Sequence, residues 1–514
     1  MLDSLKGSPN ARPDLADRKQ RSVYIHLLVP HKSGEITDAK SPFHSLTPAT
    51  GGFECNGLLA EVDQSSGRSC SDGLVYNPVA WESTTGFLWP QEATSMPSKK
   101  PLVVFVASFS VILGSLAITT PLFAASREKV IHSFGKDGVY PDGVIIDKTG
   151  NLYGTTYSGG DLGTVFELTP DNGKWTETLL HTFHGKDGAL PLGGLIQDAA
   201  GNLYGTTTAG GASSTCNDRA TPGCGTVFEL SLVNGKWAEK VLHSFDQDGK
   251  DGTFPAASLI LDRDGNLYGR TVEGGPLSGC DNFGCGVAFE LSPGKNGKWT
   301  EKVLFNFHFG GGGPQAALVM DKSGNLYSTA YFGGKYGDGV VFELVPSNGK
   351  WTQKVLHSFH RDGKDGSNPD SSLTLDQGGN LYGTTSNGGP LSGCNGQTCG
   401  TVFELSPGDN GSWTEKVLHN FSGKDSAFPA ASVIFDASGN LYGSASGGYG
   451  YGYGTVFELT PNNGKWTEKV LHSFSGAPDG AYPGNVILDT AGHLYVATWM
   501  GGTYDYGAVF EIIP

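Results

Sequence analysis

Charge is scarce in this 514-residue chain: Asp, Glu, Lys and Arg make up 17% of it, where soluble proteins carry roughly 25%. Methionine occurs four times, and no sustained helical period is present, so a coiled coil or a large helical bundle is excluded. A basic footprint is missing as well. Lys and Arg number 35 against 51 Asp and Glu, a net charge of −16, which argues against a nucleic-acid partner, since phosphates need clustered cations. The common catalytic signatures are absent too: there is no Gly-x-Ser-x-Gly elbow, no His-Glu-x-x-His, and no Gly-rich phosphate loop opening a helix. Glycine is in excess instead, at 78 residues, without the G-X-Y period that collagen requires.

Residues 1–95 show no sustained period and no repeat. Ser98-Lys99-Lys100 then lead into a stretch without charge, which contains Leu102-Val103-Val104-Phe105-Val106-Ala107 and ends Phe123-Ala124-Ala125. A basic start, an apolar middle and small residues before a polar sequence describe a secretory signal peptide. On this reading translation starts at Met96, cleavage falls near Ala124 or Ala125, and residues 1–95 are an upstream extension, disordered or wrongly joined to the gene. The rival reading keeps Met1 and makes 101–125 a membrane anchor. Both place the rest of the chain outside the cytoplasm, whether extracellular, periplasmic or at the cell surface, with membrane contact only through 101–125 if uncleaved.

Cysteine supports export. Cys55 and Cys70 lie upstream, while Cys216 and Cys224, Cys280 and Cys285, and Cys394 and Cys399 form three short-range couples, each within one loop. Such couples suit loop-stapling disulfides of an oxidising compartment. Zinc would require four converging ligands, and no His stands at ligand spacing beside the couples.

Self-similarity organises the remainder. Gly-Asn-Leu-Tyr recurs with Tyr153, Tyr204, Tyr268, Tyr327, Tyr382 and Tyr442 and returns as Gly492-His493-Leu494-Tyr495, at spacings of 51 to 64 residues. Val-Phe-Glu-Leu strings carry Glu167, Glu229, Glu290, Glu343, Glu404, Glu458 and Glu511, and Leu-His-Ser-Phe strings end at Phe134, Phe183, Phe245, Phe307, Phe359, Phe421 and Phe474. Each unit reads as four short strands separated by turn signals, which predicts an all-β, seven-bladed β-propeller over residues 126–514. The array opens on a fourth-strand string at 127–134 and its last string is a third strand, so strand 127–134 is expected to complete the seventh blade and close the ring.

Asn-Gly turns fix a register. A two-residue type I′ hairpin at Asn463-Gly464 pairs Glu458 with Lys469, and the same count pairs Glu229 with Lys240, Glu343 with Lys354 and, on closure, Glu511 with Lys129. Where the connection is one residue longer, at Asn296 and Asn410, a bulge is expected. Seven Glu spread round a ring cannot converge on one substrate, so they read as structural. So do the repeated His132, His181, His243, His357, His419 and His472, the Trp that open the fourth strands, and the Asp of Asp-x-x-Gly, which suits an Asx turn.

Chemistry is expected on the face where the loop from strand two to strand three and the crossing between blades emerge together. That face carries the Cys couples and the aromatics Tyr157, Tyr336, Tyr449, Tyr451, Tyr453, Trp499, Tyr504 and Tyr506, and the crossings carry Asp137, Asp187, Asp251, Asp365, Asp425 and Asp479. Exposed rings beside Gly backbone and carboxylates suit a polar ring-shaped ligand such as a glycan; the same Gly-Tyr-Gly loops also suit tight turns that pack on one another. No cofactor is predicted. Ca²⁺ is the ion weighed for the crossing Asp, one carboxylate per loop falling short of its six to eight oxygens. The off-pattern His184, His308 and His360 lie near this face.

Asp-x-x-Gly-Asn-Leu-Tyr-Gly-Thr-Thr, Gly-Gly and Gly-Thr-Val-Phe-Glu-Leu in this order resemble the GloVer tandem-repeat, or choice-of-anchor, family of exported bacterial proteins over about residues 127–514. That resemblance implies an exported or surface protein and brings no established activity. The Asp-x-x-Gly-Asn-Leu-Tyr piece alone is similar to lactonase-type and NHL-type propellers. The sequence thus points to a secreted, non-catalytic propeller that binds a glycan or protein through its variable face. The alternatives are a metal-dependent hydrolase or lyase with its site at the channel mouth, or a structural surface component. Intact-mass analysis of the exported protein is expected to find a chain beginning near Ser126, and a species retaining residues before Met96 would contradict the start-site reading.

Overall fold

Alternation of apolar and polar side chains within each repeat, broken every few residues by Gly or Asn-Gly, makes short antiparallel strands. The structure, a computed structural model, describes residues 126–216, 221–277, 280, 283–308, 316–391, 394, 398–447 and 452–514. The segments 1–95 and 96–125 lie outside the described residues. The strands form seven four-stranded antiparallel sheets arranged as a β-propeller, with two small two-stranded pairings between them. Blade one contains Val139–Ile146, Leu152–Ser158, Thr164–Asp171 and Lys174–Thr182.

Blade seven is assembled from both ends of the array: Gly480–Leu488, Leu494–Gly501 and Ala508–Ile513 are completed by Arg127–Ser133, which pairs with Ala508–Ile513 and sets Lys129 opposite Glu511. The expected register holds elsewhere as well, with Glu229 opposite Lys240, Glu343 opposite Lys354 and Glu458 opposite Lys469. Asn and Gly both take positive φ in these turns, 49° and 80° at Asn463 and Gly464, as a type I′ hairpin requires. At Asn296 and Asn410 the outcome differs from expectation. The added residue is absorbed in the turn, where Gly294 N–H donates to Lys298 O and Gly408 N–H to Ser412 O, so the register survives without an added bulge.

A bulge does occur, at a place the repeat hides. In every blade one residue of the fourth strand is skipped in the pairing, as Leu180 is between Leu179 and His181. Regular alternation would put Leu180 and Phe183 on opposite faces; with the bulge both are buried.

First strands lie innermost. Neighbouring first strands bond to one another, Ala317 N–H to Ser372 Oγ at 3.0 Å and Ser432 N–H to Asn485 Oδ1 at 2.9 Å, whereas fourth strands expose alternate residues to solvent. Blades two to six form only two-residue first strands, such as Ile196–Gln197, while blades one and seven form eight and nine residues. The cause is in the sequence: from Pro141 to Asp147 and from Pro483 to Asp489 the chain is one residue shorter than from Pro191 to Asp198.

The blades are joined by phenylalanine. Phe134, Phe183, Phe245, Phe307, Phe359, Phe421 and Phe474 each meet, edge to face at 4.9–5.5 Å, the Phe of the next blade's third strand, from Phe166 round to Phe510. Second-strand Gly makes room for the third-strand ring. A Cβ at Gly205 would stand 2.6 Å from Phe228 Cζ. The Trp that open the fourth strands extend this welding rather than packing on their own hairpin alone: Trp237 meets Tyr153 and Trp299 meets Tyr204 of the preceding blade.

At the turn end, Asp147 Oδ1 accepts from the backbone N–H of Thr149 and Asn151, and the Tyr153 hydroxyl lies between Asp147 Oδ2 at 3.3 Å and Glu167 Oε1 at 2.9 Å. The Asx reading of the repeated Asp therefore holds, and Glu229 has the Tyr204 hydroxyl at 3.4 Å, closer than Lys240 at 3.9 Å. Replacing Phe289 by Ala removes one member of a seam pair and should cost about 3–5 kcal/mol; denaturant unfolding of the purified variant checks this, and a loss below about 1 kcal/mol would contradict the role given to the seam rings.

Candidate functional site

Six crossings among the described residues enter their first strand through a residue that precedes Pro, and that residue adopts the left-handed region. Tyr140, Leu190, Phe254, Asn368, Phe428 and Tyr482 have φ between 56° and 62°. For bulky side chains this costs about 1–2 kcal/mol each, and such strain marks positions that the surroundings over-determine. The determining bonds are in place. Phe254 N–H donates to Cys224 O of the preceding blade, and its own carbonyl accepts from Val272 N–H. Leu190, Asn368 and Phe428 repeat this pattern with Leu162, Asp338 and Cys399 as acceptors.

Two of the acceptors belong to the stapled loops. Cys216–Cys224, Cys280–Cys285 and Cys394–Cys399 are bonded as expected, so the disulfides hold Cys224 O and Cys399 O where the next blade's strained residue needs them. Disulfides belong to proteins of oxidising compartments. Among the described residues no helix is long and apolar enough to cross a membrane.

Blades seven and one carry the aromatic version of this arrangement. Tyr140 donates its N–H to Tyr506 O, and its ring stacks on Trp499 at 5.1 Å and 5°. Tyr157 stands against the other partner, 5.6 Å from Trp499. All three rings are half-buried. Burial holds the Tyr157 phenol up at about 12, and burial with the nearby Asp505 raises Tyr140. Two residues on from Tyr140 is Asp142, on the innermost strand against Gly484 of blade seven, where burial pushes the carboxyl up to about 7.

Of the expected ligand residues, the structure brings together Tyr157, Trp499 and Tyr506 at this seam. Tyr336 is elsewhere, stacked on His360 at 4.1 Å with Lys335 4.9 Å from its ring. Tyr453 is exposed beside Gly476 and accepts Tyr482 N–H at its carbonyl, and Tyr504 is 63% exposed on the blade-seven loop. Tyr449 and Tyr451 lie outside the described residues. The off-pattern histidines do not converge: His184 pairs with Asp161 and His360 with Tyr336, while His308 packs near Phe305.

Tyr140, Asp142, Arg270 and Asp370 carry no motif of their own; Arg270 stands alone at its place in the repeat, Asp142 and Asp370 are the two acids that follow a crossing Pro, and Tyr140 has its counterpart in Tyr482. Arg270 occupies the place of Thr206 and Thr384; it is 2% exposed, its Nε donates to Ala316 O, and its Nη1 has no partner. Asp370, on the innermost segment of blade five, has a buried Oδ1 without a partner, and burial pushes its carboxyl up to about 7. A cleft of about 600 Å³ on the opposite face is lined by Asp147, Trp175, Asp489 and Tyr495. The Asp and Tyr have counterparts in every blade and the Trp in six of the seven, so that cleft is a product of the repeat.

The crossing Asp, weighed as Ca²⁺ ligands, spend their oxygens locally. Asp187 accepts from His184 N–H and faces His181 Nε2 at 2.9 Å, and Asp251, Asp365 and Asp425 do the same to His243, His357 and His419 at 3.0 Å. The repeated His and the crossing Asp, read separately from the sequence, are one staple.

The model of the Gloeobacter/Verrucomicrobia repeat matches residues 118–217, 214–397 and 391–514. The chain belongs to that repeat family. No curated protein matches its sequence. Among solved structures it is similar to a protein described as a 6-phosphogluconolactonase from Bacteroides uniformis, 14% identical over 72% of this chain and 100% of that one with a TM-score of 0.43. It is also similar to a gluconolactonase from Xanthomonas campestris, 14% identical over 75% and 89% with a TM-score of 0.36, and to a protein of unknown function from Dyadobacter fermentans, 11% identical over 76% and 99% with a TM-score of 0.38. No activity or ligand is carried over from these likenesses to this member of the repeat family.

Because burial raises the Asp142 pKa from 3.8 to about 7, the folded protein keeps a proton that the unfolded chain releases, and stability falls as pH rises between those values. Asp142→Asn should therefore be more stable than the parent by up to about 4 kcal/mol at pH 8 and equal to it near pH 3.5. Urea unfolding at the two pH values checks the sign; an equal gain at both would contradict it.

Proposed function

We propose that this protein is a secreted or cell-surface binding propeller that takes a saccharide ring at the mouth of the seam between blades seven and one, without catalysing its breakdown. The observation that carries the reading is the parallel Tyr140–Trp499 stack with Tyr157 beside it, two residues along the chain from Asp142. Aromatic faces hold the apolar face of a sugar ring and a carboxylate takes its hydroxyls. Half-burial of the rings keeps them rigid, which lowers the entropy lost on binding.

Exposed Tyr504 and the Asp505–Tyr506 loop rim the same seam and supply the polar edge that selective sites require. A hydrolase or lyase needs reacting carboxylates or a metal held in one place. Asp142 and Asp370 are single carboxylates on the innermost segments of blades one and five, and neither belongs to a three-residue ligating group among the described residues.

A glycan array probed with the purified protein is expected to give hits. Trp499→Ala should weaken the best of them at least tenfold, about 1.4 kcal/mol, with Tyr336→Ala leaving it unchanged. Equal binding by both variants would remove the site, and turnover of a lactone or ester panel without glycan binding would replace the reading with the enzymatic one.

A further inference from the structure

The seven repeats act as an internal comparison, and one seam differs from the other six in three places at once. Across six seams a His of one fourth strand, the Asp of the following crossing and a Glu of the next fourth strand recur: His181, Asp187 and Glu239 at the first, His472, Asp479 and Glu128 at the sixth. Between blades three and four the His is Phe305, the crossing reads Phe309-Gly310-Gly311-Gly312-Gly313-Pro314 without a carboxylate, and the Glu is Gln353. Three positions remote in sequence are present together or absent together.

An Asp–His staple alone explains neither the Glu nor its joint loss. Six third-strand Glu accept from a Tyr hydroxyl, Glu167 and Glu458 among them, whereas Glu239, Glu301, Glu415 and Glu468 pair with no Lys or Arg among the described residues, and each has a buried Oε1 without a hydrogen-bond partner. The carboxylate of Glu239 stands within 4.8 Å of that of Asp187, and Asp251 and Asp365 repel the carboxylates of Glu301 and Glu415 in the same sense. Two carboxylates held together repel unless one takes up a proton or a cation stands between them.

At the first and sixth seams the geometry is closest. One imidazole nitrogen and two carboxylate oxygens lie within 4.8 Å of one another in His181, Asp187 and Glu239, and again in Glu128, His472 and Asp479. Ligand atoms on a tetrahedral zinc stand roughly 3.4 Å apart, so each set needs to close by about an ångström. His472 Nε2 and Asp479 Oδ1 are themselves buried and without hydrogen-bond partners. An imidazole nitrogen with two carboxylate oxygens is a donor set for zinc-class divalent ions rather than for Ca²⁺, which takes oxygen alone.

We propose that the first and sixth seams each bind a zinc-class divalent cation through His181, Asp187 and Glu239 and through His472, Asp479 and Glu128, tying neighbouring blades at their outer edges. Water completes the coordination; at the first seam the ion enters as the His181–Asp187 hydrogen bond releases its proton to solvent, and at the sixth His472 Nε2 and Asp479 Oδ1 are already without hydrogen-bond partners. The reading does not depend on any saccharide site.

The chelator-stripped protein, dialysed against micromolar Zn²⁺, is expected to retain about two equivalents by elemental mass spectrometry and to melt at a higher temperature, with Ca²⁺ at equal concentration doing neither. The double variant Glu239→Gln with Glu128→Gln carries the side chain that blade four already tolerates, so it should fold, as circular dichroism checks, and lose both zinc ions. Should that variant misfold, His181→Phe, the counterpart of Phe305, must lose one. Zinc retained by these variants, no zinc bound by the parent, or equal Ca²⁺ uptake would each overturn the proposal.

Discussion

The structure depends on one contact made seven times: a Phe at the end of each fourth strand set edge-on against the third-strand Phe of the next blade. A four-stranded blade cannot bury both of its faces alone, and in a ring every face finds a neighbour. The Phe pairs supply that burial, at about 1.5–3 kcal/mol for each ring removed from water. Gly205 and its counterparts in five of the seven blades yield the space, and the fourth-strand bulge turns both Leu180 and Phe183 inward. Closure then follows, because Phe134 on Arg127–Ser133 has the same partner waiting in Phe166 as every other blade provides.

Much of this was legible from residue order. Four strands per unit, seven units, the closing strand, the Glu–Lys register and the Cys couples follow from turn chemistry and period-two alternation, which are local. The bulge was not legible, since skipping one residue of a strand leaves no mark in composition; the hint lay in two apolar residues, Leu180 and Phe183, three apart where alternation forbids sharing a face. Nor was the long first strand of blades one and seven, whose cause is a single missing residue after Pro141 and Pro483.

The candidate site was half legible. Tyr157, Trp499 and Tyr506 could be named as loop aromatics, but their convergence depends on blades seven and one being neighbours across the closure. Tyr140 and Asp142 sit in a stretch that looks like ordinary repeat until it is aligned with the other six. The departures carry the information: Arg270 where other blades have Thr, Asp370 after its Pro, Phe305 and Gln353 together in one seam. Repetition accounts for stability, and the breaks in repetition mark where the molecule differs from a bare scaffold.

A crystal structure of the protein grown with its best-binding saccharide tests the central claim most directly. The account places the sugar ring against Tyr140, Tyr157 and Trp499 with a hydroxyl at the Asp142 carboxylate. A saccharide bound instead in the cleft lined by Trp175 and Tyr495, or on blades three and four, would contradict it.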